Sequence, residues 1–113
     1  MRQTNSILKQ ITGKELKLFR PPFGVTNPNI KNALKRTGHF SIGWSKRSFD
    51  TTNLSEKRIL GRITSNLKKG DIILLHDGSA KTVAVLEQLL LFLQLHKLQS
   101  VPVNRLLEIE AYA

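Results

Sequence analysis

A short, unbroken apolar run bounded by turn residues constrains this chain more than any other feature. Ile72, Ile73, Leu74 and Leu75 follow Lys68-Lys69-Gly70 and precede His76-Asp77-Gly78-Ser79. Such a run predicts a strand buried on both faces, of the kind that lies in parallel sheets covered by helices. Its carboxyl end delivers two polar side chains, His76 and Asp77. Active sites of open α/β sheets and α/β barrels collect at that end. A loop histidine capped by the next turn meets the same spacing, so both readings stand at this level.

The segments on either side alternate between helix and strand patterns. Ile7, Leu8 and Ile11 share a face of a short helix that Gly13 stops. Leu16 to Phe19 predicts a strand, which runs into Arg20-Pro21-Pro22-Phe23-Gly24. Two prolines remove two backbone donors and fix two φ angles, so pairing ends there in a stiff loop. A loop that presents a permanent cation, Arg20, and the backbone N–H of Phe23 suits a carboxylate and an oxyanion. It is equally the pattern of a surface turn with a solvated arginine.

Asn27 caps a second helix with Pro28 at its first position; Ile30, Ala33, Leu34 and Thr37 form its inner face, and Gly38 ends it. His39 follows as a structural or exposed loop histidine. Ser41 to Ser45 predicts a third strand carrying Trp44, the one tryptophan. That ring serves as core or, at a strand end, as the wall of a sugar site. A polar loop from Lys46 to Thr52 holds Asp50. Asn53 with Glu56 matches a reciprocal capping pair for a helix that turns Leu60, Ile63 and Leu67 inward. After the central strand a long helix runs from about Ala80 to His96, with Val83, Leu86, Leu89, Leu90 and Leu93 facing the core. Ser100 to Val103 predicts a last strand, and Asn104 caps a closing helix.

Regular alternation of this kind means an α/β fold with a parallel sheet. Four strands each followed by a helix fit part of a barrel as readily as an open sheet. At 40% hydrophobic and 23% charged, the 113 residues suit one globular domain. The absence of cysteine removes disulfides, thiolate metal sites and a cysteine nucleophile. The net charge of +10 is spread without a block of like charges, which argues against a dedicated nucleic-acid surface. The most apolar run, Val83 to Leu95, is broken by Glu87, Gln88 and Gln94 and falls short of the ~20 residues of a membrane span. The opening residues lack the apolar core of a signal peptide, which leaves the compartment open.

FRPPFG, GWSKRSFDT and GDIILLHD, in that order and spacing, resemble the polysaccharide deacetylases of the NodB-homology type, the family-four carbohydrate esterases. The resemblance runs from about Ile7 to Ile109. It implies a distorted (β/α) barrel and a divalent metal, usually zinc, that activates water toward an acetamide or acetyl ester. Carried over residue by residue, Arg20 matches the arginine that pairs with the catalytic-base aspartate. Phe23 matches the position whose backbone N–H helps hold the oxyanion. Asp50 resembles the aspartate that orients the catalytic histidine, Leu74 lines the acetyl pocket, and His76 matches the general acid. Trp44 is a candidate substrate wall.

The chain departs from the family in two ways. Thr51 stands where many members carry tryptophan. The Asp-Asp pair that supplies base and metal ligand, and the two ligand histidines on one helical face, have no counterpart; the histidines are His39, His76 and His96. Residues 1–113 are therefore expected to be the carboxyl-terminal part of a deacetylase domain without its metal-binding half. That part has no cofactor of its own and is inactive alone. It would act on an acetylated glycan such as peptidoglycan or a chitin-like oligomer when completed, and it leaves apolar strand edges for the missing half or for self-association. A non-catalytic glycan-binding remnant and a small basic nucleic-acid-binding protein are the readings from other classes.

Overall fold

The computed structural model describes residues 1–24 and 26–112. They form two compact units, one of residues 1–43 with 107–113 and one of residues 44–106.

In the first unit, helix α1 spans Arg2–Thr12 and ends on Gly13 at φ 73°. This left-handed conformation costs glycine little. Ile7 and Ile11 stand exposed on α1. Strand β1, Leu18–Phe19, pairs in parallel with β2, Phe40–Ser41. Helix α2, Pro28–Thr37, connects them; Asn27 accepts from the Ile30 N–H at 2.9 Å and Gly38 closes the other end. Leu16 forms an antiparallel bridge with Tyr112.

In the second unit, β3, Lys46–Arg47, pairs in parallel with β4, Ile73–Leu74, with Lys46 opposite Ile73 and Arg47 opposite Leu74. Helices α3, Glu56–Thr64, and α4, Ala80–Leu95, pack on this pair, and α5, Val103–Leu106, follows. Ile59 and Ile63 of α3 meet Val85 and Leu89 of α4 in the buried core, with Leu54, Leu60, Leu67, Ile73, Leu75 and Leu93 around them. Ile59 is 0% exposed. Ile59→Ala leaves a cavity there and is expected to cost about 2–5 kcal/mol, read as a lowered denaturant midpoint. A midpoint unchanged in the variant would place the core elsewhere.

Several sequence expectations need correction. The central strand is not buried on both faces. Ile73 and Leu75 pack on the helix core, whereas Ile72 and Leu74, which alternate to the opposite face, are half-buried like them. The expected strand over residues 41–45 divides. Arg20 takes the carbonyls of Ile42 and Gly43 as acceptors, and pairing with the central strand begins only at Ser45 and Lys46, whose N–H groups reach Ile72 O. Ser100 to Val103 forms no strand; Pro102 lacks a donor for a ladder, and α5 begins at Val103.

The cap of α3 is Ser55, which accepts from the Arg58 N–H at 3.2 Å, not Asn53. Lys81 donates to the carbonyls of Thr52 and Leu54 at 2.6 and 3.1 Å and holds that stretch out of the helix. Helix α4 buries Thr82, Val85 and Leu89. Val83, Leu86, Leu90, Leu91 and Leu95 remain exposed on the rest of its surface, with Val83 at 64%. Three of the four expected strands are thus observed, with different bounds and the second divided between β2 and β3, as two two-stranded parallel pairs. Among the described residues no helix is long and apolar enough to cross a membrane.

A carboxylate-backed histidine as the candidate active site

Asp50 and His76 come together at the carboxyl end of the β3–β4 pair. Two residues beyond β3, the chain enters a turn at Phe49, whose φ of 58° is unusual for a residue with a side chain. The Phe49 carbonyl accepts from the Thr52 N–H at 3.1 Å and the Thr52 hydroxyl at 2.6 Å. The guanidinium groups of Arg47 and Arg62 lie 4.6 and 4.4 Å from its ring centroid. Cation–π contacts of this kind contribute about 0.5–1 kcal/mol each at exposed sites, and they offset the cost of the left-handed backbone. The turn carries Asp50 inward, where it is 2% exposed.

Every neighbour of the Asp50 carboxylate is a donor. Its Oδ1 accepts from His76 Nδ1 at 2.8 Å. Its Oδ2 accepts from the His76 backbone N–H at 2.6 Å and from the Thr82 hydroxyl at 2.8 Å. Ser48, 1% exposed, accepts from the Asp50 N–H at 3.2 Å and supports the carboxylate as well. Burial pushes the Asp50 carboxyl up. The hydrogen bonds from the His76 ring and backbone, Thr82 and Ser48 outweigh it and hold the carboxyl at about 2. Asp50 is therefore ionised and can only accept. The His76 side chain is 51% exposed, and its second nitrogen, Nε2, lies on the ring edge away from Asp50. A carboxylate-backed imidazole with one nitrogen fixed and the other edge open can carry a proton to or from a bound molecule.

Leu74 belongs to β4, two residues before His76, and is half-buried; Trp44, also half-buried, precedes β3. The other two candidate residues stand in the first unit. Arg20 leaves β1 with its guanidinium anchored, Nε on Ile42 O and Nη2 on Gly43 O, both at 3.1 Å. Phe23 occupies a one-turn 3₁₀ segment, Pro22–Gly24, at φ 57° with its side chain 97% exposed. The structure thus joins Asp50 to His76 and describes Arg20 and Phe23 within their own unit.

Thr82 and Ser48 are the site residues that sequence reasoning passes over. A threonine on an otherwise apolar helix, three residues after the Ser79 cap, is the signal that marks the first. A serine two residues before the aspartate marks the second.

The remaining histidines are engaged elsewhere. His39 bonds to Asn5 at 2.8 Å and to Thr37 at 2.6 Å, and His96 stacks on Phe92 with centroids 3.9 Å apart. Among the described residues no three of His, Cys, Asp or Glu lie together as a metal site. A catalytic zinc takes three protein ligands, so the residues present do not fit the metal that the family resemblance implies.

The sequence model of polysaccharide deacetylases matches residues 1–41. A peptidoglycan-N-acetylglucosamine deacetylase of Bacillus cereus is 36% identical over 99 residues, which is 83% of this chain and 46% of that protein. The solved peptidoglycan deacetylase PdaC from Bacillus subtilis superposes with a TM-score of 0.83 at 25% identity, over 95% of this chain and 52% of that one. The chain belongs to the polysaccharide deacetylase family. A bifunctional xylanase/xylan deacetylase of Cellvibrio japonicus is also similar, 32% identical over 79 residues, 70% of this chain and 12% of that protein. The fold is accordingly that of part of a family-four carbohydrate esterase, and the chain spans about half the length of PdaC.

Proposed function

We propose that residues 1–113 are the carboxyl-terminal part of a deacetylase domain that hydrolyses N-acetyl or O-acetyl groups on a glycan such as peptidoglycan or a chitin-like oligomer. The Asp50–His76 pair carries this reading: a buried carboxylate at 2.8 Å from one ring nitrogen with the other ring edge open. His76 donates the proton that the departing amine or alkoxide needs, from Nε2, while Asp50 stays ionised and holds the ring. Leu74 lines the acetyl pocket and Trp44 borders the glycan. Arg20 orients the base carboxylate, and the Phe23 N–H steadies the developing oxyanion. The base carboxylate and the metal ligands come from the rest of the domain.

The uncovered apolar surface of α4 supports the same reading. Leu86 and Leu90, both exposed, line an apolar cleft of about 610 Å³ together with Leu75, Leu93, Val101 and Leu106. This cleft includes neither Asp50 nor His76. It is the face on which the remainder of the domain packs, since apolar areas of this kind mark interaction surfaces.

The chain alone is expected to release no acetate from an N-acetylglucosamine oligomer, with or without added zinc. Mixing it with the amino-terminal half of a related deacetylase is expected to restore release. Acetate release by the chain alone would overturn the division of labour proposed here. Zinc-independent retention on the oligomer, with no release in the mixture, would favour a glycan-binding module instead.

A further inference from the structure

We propose that Thr82 is a positioning residue: its hydroxyl, itself held by Ser79, locks the Asp50 carboxylate in the orientation that keeps His76 in the Nδ1–H form with Nε2 turned outward. This inference rests on the reading of Asp50 and His76 as the proton-donating pair.

The geometry divides the two oxygens of Asp50 between different elements. Oδ1 faces the His76 ring at 2.8 Å, and Oδ2 faces Thr82 of α4 at 2.8 Å and the His76 N–H at 2.6 Å. Rotation of the carboxylate about its Cβ–Cγ bond is therefore opposed from both sides. Thr82 is 6% exposed and Asp50 2% exposed, so water does not replace a lost donor readily.

The direction of each hydrogen bond follows from counting protons. An ionised carboxylate only accepts, so the single proton of the Thr82 hydroxyl goes to Asp50. The Thr82 oxygen then faces the Ser79 hydroxyl, 3.2 Å away, as acceptor, and Ser79 is the donor. Ser79 also accepts from the Thr82 N–H at 3.3 Å as the cap of α4. The result is a directed chain, Ser79 to Thr82 to Asp50, that starts at a helix cap and ends on the oxygens that hold His76. Because Oδ1 cannot donate, a neutral His76 carries its proton on Nδ1. Threonine is suited to the middle position because its branched Cβ restricts χ1 and fixes where the hydroxyl points.

The test is the tautomer of His76 in the full 113-residue chain, read from long-range ¹⁵N–¹H correlations of the imidazole. In the unaltered chain the neutral ring is expected to show the Nδ1–H form alone. Thr82→Val keeps the branched shape and removes the donor; it is expected to raise the Nε2–H population several-fold, while His39 keeps its signals. Thr82→Ser is expected to restore the single form, which a purely space-filling role for Thr82 would not require. Thr82→Cys, with its weak S–H donor, is expected to fall between them and decides the matter if the valine variant does not fold. A single Nδ1–H form in the folded valine or cysteine variant, or no restoration by serine, would overturn the inference. Full activity of His76→Ala in a completed domain would instead remove the proton-donor reading, and it would leave the tautomer result as it is.

Discussion

His76→Ala, in a completed deacetylase domain containing this chain, is expected to lower kcat by about 10²–10⁴-fold, the usual contribution of a positioned proton donor. KM is expected to change little, because the ring acts on the leaving group as the bond breaks and adds little to ground-state binding. The choice of substrate separates this role from a general disturbance. An acetylated amine needs a proton to depart, whereas an activated aryl acetate does not. The loss should therefore be large on the acetamide and small on the aryl ester. Equal losses on both substrates would mean that the ring holds the site together without donating a proton.

Asp50→Ala is expected to be the most destabilising polar substitution in the second unit. It removes the acceptor of the buried Thr82 hydroxyl and of the part-buried His76 N–H. Each unsatisfied buried donor costs about 1–3 kcal/mol, so the total for the two is about 2–6 kcal/mol in chemical unfolding.

The carboxyl also writes a pH dependence. It is held at about 2 against an ordinary 3.8, a difference of about 2 kcal/mol. A lowered carboxyl contributes its stability in full above the ordinary value, and the contribution is lost as pH falls from there through about 2. Unfolding free energies should thus fall more steeply over that window in the unaltered chain than in Asp50→Asn. Glu15, exposed, and Asp71, half-buried, are also held below their ordinary values, but both lie outside the substitution and titrate alike in the two proteins. Parallel curves would show that Asp50 is not held as the hydrogen bonds indicate.

Local chemistry made much of this chain legible. Asn27 and Pro28 open α2, Gly13 and Gly38 close α1 and α2, and Ser79 opens α4. Capping and left-handed glycine termination depend on residues within one turn, so the sequence alone carries them. The three motif segments likewise led to the family. His76, Arg20, Phe23 and Trp44 were candidates from their places at strand ends and in the stiff loop, Asp50 and Leu74 were added by the resemblance, and the roles of all six stay proposals to be tested as above.

What resisted sequence reading depends on contacts between distant residues. The start of α3 shifted to Ser55 because Lys81 of α4 holds the carbonyls of Thr52 and Leu54. Helix α4 is apolar nearly all round, so its 3.6-residue period selects no face. The partner, α3, chose Val85 and Leu89, Asp50 took Thr82, and Val83, Leu86 and Leu90 were left outside. Strand bounds moved because a ladder needs donors and acceptors on a second segment, and Arg20 had taken two of those acceptors. The sequence by itself determined where helices begin and end, which family the chain belongs to, and which histidine deserved notice. Only the tertiary structure decided that Asp50 is buried among donors and that Thr82, 32 residues away along the chain, is one of them. The physical reason is range: a cap is satisfied within its own turn, whereas a buried carboxylate is satisfied only by groups that folding brings to it.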